Sequence, residues 1–350
     1  MARIWYASRE QVKAALDVAE TARNNAQVDR AIGSGAEAID ALTHRRFYPW
    51  TGTRYFPWPN DQRARPWRLW LDADELISVT ALVAGGVTIP PTDYFLEPAN
   101  SGPPYTHVEI DLASSSAFAP GATYQRAIAI TGVYGHSADE EPVGTLTTSL
   151  AASQSATATA TWTTPRIGVG DILRIDSERV VVTAKTMVDS AQNTGNALAA
   201  SAGDVMVQVT DGTAFAVEQV LLVGSERMLV VDVAGNNLTV ERAWDGTVLA
   251  AHGSGADIFA LTGVELDRGQ LGTTLAAHSN GAAVSRHLVP SLVRDLNVAE
   301  AINQLQQETS GYARVIGEGD NAREGTGRSL FDLRRDVVAA YGRKVRTRAV

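Results

Sequence analysis

Apolar positions recur at helical spacing near both ends of the chain and at strand spacing between them. Over Ser8 to Arg23, Val12, Leu16 and Ala19 fall at i, i+4 and i+7, while Glu10, Lys13, Asp17 and Glu20 lie largely elsewhere. That spacing predicts an amphipathic helix with Ser8 as its N-cap, because a serine hydroxyl can accept from a first-turn N–H. After the Asn24-Asn25 break a second helical pattern runs through Val28, Ile32, Gly35, Ile39 and Leu42. Gly33 and Gly35 inside it each cost about 1 kcal/mol against alanine, which points to a close approach by another backbone or to a kink.

From Thr51 the period becomes two. Trp67, Leu69 and Leu71 alternate with Arg68 and Trp70, and Ile77, Val79, Ala81 and Val83 alternate with Ser78, Thr80 and Leu82. Gly85-Gly86 predicts a hairpin into Val87-Thr88-Ile89. Asp93 to Leu96, Val108 to Leu112 and Ala127 to Tyr134 complete a first group of short strands. His136 to Pro142, holding Asp139-Glu140-Glu141, is expected to be a solvated linker. The Ser/Thr/Ala-rich tract Thr145 to Thr164 is expected to give weakly specified edge strands with a mobile loop.

The chain then repeats itself. Asp171 to Val182 and Gln219 to Val230 both read as strand, Ser-Glu-Arg turn, strand, and Arg242 to Ile258 and Arg268 to Val284 share Arg-x-x-x-Gly-Thr-x-x-Ala-Ala-His. Duplication of this kind predicts small β modules, barrel-like or sandwich-like, that pack on one another. Helical period returns after Pro290. There Asn297 with Glu300 resembles a capping box, and Val298, Ala301, Ile302 and Leu305 mark a buried face. Gly317 to Gly327 is expected to be a flexible connection. Ser329-Leu330-Phe331-Asp332 opens a last helix through Leu333, Val337 and Val338 to Tyr341; Gly342 stops it, and Arg343-Lys344-Val345-Arg346-Thr347-Arg348 forms a basic tail.

These elements predict an α+β fold, a helical base formed by N- and C-terminal helices with a large β-rich insertion. The expected division is helices over 1–50, a first β region over 51–135, the repeated modules over 143–286, and C-terminal helices with the basic arm over 287–350.

Composition narrows the chemistry. With Cys 0, disulfide frameworks, cysteine-ligated metals and thiol nucleophiles are excluded. No run of about 18 apolar residues occurs, and Met1-Ala2-Arg3-Ile4-Trp5 lacks the layout of a signal peptide. A soluble protein made in a cytoplasm, without a membrane partner, is the expectation. The formal net charge of -9 argues against general nucleic-acid binding, which needs a concentrated positive face. None of the six histidines has the helical spacing to glutamate of a zinc protease. His252 and His278 occupy equivalent repeat positions and are read as structural strand-end or turn residues rather than a metal pair. Neither a Gly-x-Ser-x-Gly elbow nor a phosphate-cradling Gly-Lys-Ser/Thr loop is present. No catalytic residue, cofactor or metal is therefore assigned, and enzymatic activity is not expected, although a glycosidase pair needs only two acids across a cleft.

The sharpest local bias is aromatic and basic together: Arg45, Arg46, Phe47, Tyr48, Trp50, Arg54, Tyr55, Phe56, Trp58, Arg65, Trp67, Arg68 and Trp70. Such a cluster suits a core, a protein interface, or stacking of bases or sugars. The basic tail is either a solvated end or a docking element for an acidic or grooved partner.

The order of these features resembles the head-to-tail connector, or adaptor, proteins of long-tailed bacteriophages. The resemblance rests on Ile39-Asp40-Ala41-Leu42-Thr43-His44-Arg45-Arg46-Phe47, then Thr53-Arg54-Tyr55-Phe56, the strand Leu76 to Val83, Asp93-Tyr94-Phe95-Leu96 and Ile130-Thr131-Gly132-Val133-Tyr134-Gly135, about the first 135 residues. Ile39, Asp40, Arg45, Arg46, Phe47, Arg54 and Tyr55 are its core motif. The Gly-Thr-x-x-Ala-Ala-His echoes are similar to small β modules of phage virion proteins. The resemblance implies a virion protein of the head-tail neck, assembled in the host cytoplasm as a homo-oligomeric ring, commonly of twelve copies. Such a ring is a conduit for double-stranded DNA that passes without sequence recognition. Its partners would be the portal protein on one side and a downstream neck, stopper or tail-terminator protein on the other. The implied portal-contacting arm comprises Ser329, Leu330, Phe331, Leu333, Arg334, Tyr341, Arg343, Lys344, Arg346 and Arg348. An acidic wall suits such a channel, since an attractive one would hold phosphates. The long β region over 143–286 departs from compact members of the family. A carbohydrate- or receptor-binding phage tail protein is the alternative.

Overall fold

The computed structural model describes residues 4–16, 25–59, 65–159, 167–309 and 329–343. Among these the fold is α+β, with four α-helices: α1 (Arg9–Ala15), α2 (Asn25–Thr43), α3 (Ser291–Thr309) and α4 (Leu330–Tyr341). Ser8 caps α1 as expected. Its hydroxyl accepts the Gln11 N–H, and the Gln11 side chain accepts the Ser8 N–H. The remainder of that predicted helix, beyond Leu16, lies outside the described residues, as does Gly317 to Gly327.

Elements from the two ends of the sequence share apolar contacts. Val28 and Ile32 of α2 pack with Ala301, Ile302 and Leu305 of α3, while Ala36 and Ile39 pack with Val293, Leu296 and, from α4, Val337. One expectation fails within this layer. Asn297 is not a cap, because α3 already begins at Ser291, just after Pro290. Asn297 is instead an interior helical residue with no solvent exposure. Its Oδ1 accepts the N–H groups of Tyr6 and Ala7 at 3.1 and 3.0 Å, and its Nδ2 donates to Ile32 O at 3.0 Å. A buried amide thus ties three segments together.

The first β region holds β1 (Trp50–Phe56), β2 (Arg68–Trp70), β3 (Leu76–Ala84), β4 (Val87–Ile89), β5 (Tyr94–Glu97), β6 (His107–Ile110) and β7 (Ile128–Tyr134). They form two antiparallel sheets, ordered β1-β7-β3-β4 and β2-β6-β5. Alternation in β7 buries Ile128, Ile130 and Tyr134 against Phe56, Leu69, Leu82 and Val108. The expected Gly85-Gly86 hairpin joins β3 to β4, with both glycines at positive φ.

The second region holds β8 (Glu140–Thr145), β9 (Ser155–Thr159), β10 (Ile172–Ile175), β11 (Glu178–Asn193), β12 (Met206–Gln208), β13 (Val220–Val223), β14 (Glu226–Ala234), β15 (Asn237–Trp244), β16 (Asp257–Gln270) and β17 (Ala283–His287). They make one antiparallel sheet ordered β12-β15-β14-β13-β16-β11-β10-β17-β8, with β9 also paired to β16. The expected linker is therefore in part a strand. Glu140 and Glu141 sit in β8, where Glu140 accepts from Arg174 at 2.6 Å and Glu141 from Arg286. The small-residue tract also does more than edge a sheet: Leu146, Leu150 and Ala158 are buried in the core of this region.

The duplicated units are nested rather than side by side. In sequence the inner copy, β12 to β15, runs between β11 and β16 of the outer copy; in the sheet β11 and β16 pair directly, and the inner copy joins them through β13 on the start of β16. Each copy is organised on a buried ion pair. In the outer one Arg268 grips Glu178 through Nε at 2.8 Å and a second guanidinium nitrogen at 2.6 Å, across 90 residues of chain. In the inner one Arg242 grips Glu226 at 2.8 Å twice, across 16 residues. All four side chains are fully buried. The N–H groups of Gly269 and Ala276 complete the first carboxylate, and those of Ala243 and Ala250 the second. His278 and His252 stand at equivalent places, 2.9 and 2.8 Å from their glutamates. The Ser-Glu-Arg segments are thus not simple turns, since each glutamate starts a strand and points inward.

Candidate functional site

The residues expected to matter divide into three groups. Asp40, Arg45, Arg46 and Arg54 come together around a cleft of about 430 Å³, along with Tyr48, Trp50, Asp74, Glu75 and Tyr134. Ile39 and Phe47 do not line it; they are core residues, 1% and 0% exposed. Tyr55 stands outside on β1, 61% exposed.

The cleft forms where α2 ends and the chain turns into β1. His44 leaves the helix at positive φ, and Arg343, just past α4, donates its N–H to Thr43 O at 3.1 Å. Arg45 pairs with Glu75 at 3.0 Å, and Arg54 lies 3.5 Å from Asp74 while its guanidinium stacks 4.3 Å from the centre of the Trp50 ring. Burial raises the Glu75 carboxyl above its ordinary value, against the opposing pull of Arg45 and Arg343. Burial likewise raises Asp40, against the Tyr6 hydroxyl that donates to it and nearby Arg46. That same hydroxyl accepts the Phe47 N–H at 3.2 Å, so Tyr6 locks the helix end to the following turn.

Beneath the cleft, His136 packs edge-on against Phe47 and Tyr341, with centroids at 5.3 and 5.4 Å. Burial, aided by Arg45, pushes its imidazole from an ordinary 6.5 to about 4. Between those values the unfolded chain binds a proton that the fold refuses, so stability is present above pH 6.5 and falls as pH drops toward 4. His136→Phe, which keeps the edge contacts, is expected to flatten that part of the melting temperature's dependence on pH between 7 and 4.5.

The arm residues are only partly free to act outward. Leu330, Leu333 and Tyr341 pack on the helical core around fully buried Val337. Arg334 makes a two-pronged pair with Glu300 of α3 at 2.5 and 2.7 Å. Ser329 caps α4, accepting the Asp332 N–H. Phe331, 72% exposed, faces solvent, and so does part of Val338, 39% exposed; Arg335 on the same helix is 64% exposed and pairs with Asp332. Lys344, Arg346 and Arg348 lie outside the described residues. Period alone placed α4 but could not say which of its apolar positions faced inward, since Phe331, Leu333, Val337 and Val338 all fit a helix.

Elsewhere the aromatic-basic cluster is turned on itself. Arg68 lies over both Trp67 and Trp70, and His107 stacks on Trp70 at 4.3 Å. Among the described residues no group of three His, Asp or Glu is placed to hold a metal ion, and no helix is long and apolar enough to cross a membrane. No protein-family model matches the chain, and no curated protein matches it.

Proposed function

We propose that this chain is a structural component of a phage neck, an adaptor ring that seats on the portal vertex and passes DNA towards the tail. The observation that carries the reading is the setting of α4. One face of this helix is anchored by Val337, Leu333 and Tyr341 in the layer made by both ends of the chain, and the other presents Phe331 and Val338 to solvent. Spaced seven apart with Arg335 between them, they form the i, i+4, i+7 pattern by which a helix fills a groove. The packed terminal helices act as the docking base, and the two nested β copies project from it as decoration or neighbour contacts.

Purified portal rings provide the test. Phe331→Glu combined with Val338→Glu changes only exposed positions and should leave the melting temperature unchanged. Loss of two such anchors is expected to weaken portal binding at least about thirtyfold. Unchanged affinity would remove α4 from the contact. Removing Ser329 to Val350 outright is a poorer test, because it uncovers Phe47, Val293 and Leu296. Saturable glycan binding with no portal affinity would favour the tail-protein reading instead.

A further inference from the structure

The sheet β1-β7-β3-β4 has a bare edge on each side. Thr51 N–H turns away from β7 and donates to Leu271 O at 2.8 Å, so by alternation Thr53 and Tyr55 also turn their backbone groups outward. On the other side Gly85 N–H donates to Ala127 O at 2.9 Å, which sets Val83 towards β7 and leaves Leu82 and Ala84 to bond β4. Within β4, Val87 and Ile89 therefore serve the ladder, and Thr88 faces out. Among the described residues no backbone group bonds Thr53, Tyr55 or Thr88 from outside the sheet.

Edge strands are commonly guarded by charged side chains, bulges or a covering loop. Here the charge on β1 is Arg54, which lies over the Trp50 ring at 4.3 Å on the opposite face, and β4 has none. Pro57 and Pro90 bound the two bare stretches without entering them. Tyr55 is 61% exposed and Val87 67%. One row on the outer face runs Tyr55, Ala129, Val83, Thr88, from one bare residue to the other, and the next runs Thr53, Thr131, Ala81. None of these side chains is charged.

We propose that a second copy of this chain docks on β1, its β4 adding as a further antiparallel strand with Thr88 opposite Tyr55. The sheet itself names the occupant, because it carries both halves of the contact. Its antiparallel order gives β4 the direction opposite to β1, so β4 laid against the β1 of another copy continues the alternation without a parallel pair. Leu271 closes the Thr51 end of β1, where a Cβ on Gly272 would collide with Thr51 O, and Tyr55 is left as the counterpart of Thr88. That pair exchanges N–H and C=O groups reciprocally, covers Tyr55 and Val87, and carries the uncharged row across the boundary. A head-to-tail contact of this kind, repeated from copy to copy, closes as a ring or extends as a filament. The inference rests on the ring reading above only for its biological setting; it does not involve α4, and its test contains no portal.

Sedimentation velocity of the full chain, taken up to about 0.1 mM, should show species larger than one copy that grow with concentration. Hydrogen exchange over 53–57 and 86–90 should slow in step. Tyr55→Pro and Thr88→Pro each delete one outward N–H and spare the ladders, which use the residues on either side. Each variant alone should associate at least about tenfold more weakly. Mixed together they should pair, because Tyr55→Pro keeps an intact β4 edge and Thr88→Pro an intact β1 edge. Tyr55→Lys and Val87→Lys, which change only exposed side chains, replace the proline variants if either of those melts early, with the same pattern expected. The proposal fails if the full chain stays a single copy throughout, if it associates without protecting both stretches, or if the mixed variants pair no better than each alone. Loss of association in Tyr55→Pro but not in Thr88→Pro would mean that two β1 edges meet each other, and would overturn it as well. None of these outcomes bears on portal binding by α4.

Discussion

Arg268→Met is expected to unfold both β copies, whereas Arg242→Met should unfold only the inner one. Each substitution strands a fully buried glutamate whose charge no longer has its main counterpart. Breaking a buried pair in this way costs about 3 to 5 kcal/mol, much more than the intact pair contributes over an apolar substitute. What differs is where the loss spreads. Arg242, Glu226 and His252 belong to the inner copy, carried between β11 and β16, and the outer copy keeps its own node of Glu178, Arg268 and His278. Arg268 lies on β16, whose other end pairs with β13 of the inner copy, so its failure removes the strand on which that copy is built. Hydrogen exchange separates the cases: faster exchange over 194–256 alone for Arg242→Met, and over the whole of 143–287 for Arg268→Met. Equal, global acceleration in both variants would show that the copies do not unfold separately. A pH corollary follows. Burial alone would raise both glutamates, but the arginine, histidine and backbone donors outweigh it and hold each at about 2, below an ordinary 4.5. Their stabilisation is present above pH 4.5 and is lost as pH falls towards 2, so acid should melt this region late.

The repeat was legible in the sequence because Ser-Glu-Arg and the Arg-to-His echo are local strings. Their nesting was not, because strings carry no record of partner choice. Glu226 finds its arginine 16 residues on, while the identical Glu178 must cross 90, and only the pairing of β11 with β16 brings it there. The same blindness to partners accounts for the other differences. Glu140 and Glu141 look like a solvated run until Arg286 arrives on the adjacent β17 and Arg174 on β10 beyond it. Asn297 with Glu300 satisfies a capping rule that reads four residues, yet the helix had already started at Ser291, directly after Pro290 and about two turns before that point. At the cleft, Arg45, Arg46 and Arg54 were visible as a cluster, but Asp74 and Glu75 come from the loop before β3 and Tyr134 from the end of β7, and no local string joins them to it. Helical period found α2 and α3 and marked Gly35 as a costly residue needing a reason.

That reason supplies the second large effect. A Cβ at Gly35 would lie 2.6 Å from Asn297 Nδ2 and 3.1 Å from Glu300 Cβ, so α2 and α3 meet where only a hydrogen fits. Intrinsic propensity says Gly35→Ala should stabilise by about 1 kcal/mol. Overpacking of a closed helix contact costs about 1 to 3 kcal/mol, and here it also displaces the amide that binds Tyr6, Ala7 and Ile32. The net sign is therefore destabilising. Asn297→Leu should cost more. It keeps the volume but leaves the Tyr6 and Ala7 N–H groups without their acceptor, each worth about 1 to 3 kcal/mol when buried, so a loss of about 2 kcal/mol or more is expected, while Ile32 O inside α2 keeps its helical donor. The damage should appear first at the N-terminal segment. Without the Asn297 acceptor, Tyr6 has less to hold it beside Asp40 and Phe47, and the cleft wall loosens with it. α4 is one step further away, since Phe47, edge-on to both Tyr6 and Tyr341, stands between it and the N-terminal segment. Hydrogen exchange in Asn297→Leu should accordingly rise over 4–16 and 28–40 before it rises over 330–341. Simultaneous loss of protection in all three stretches would mean that the helices form one cooperative unit and that Asn297 is not its local clasp.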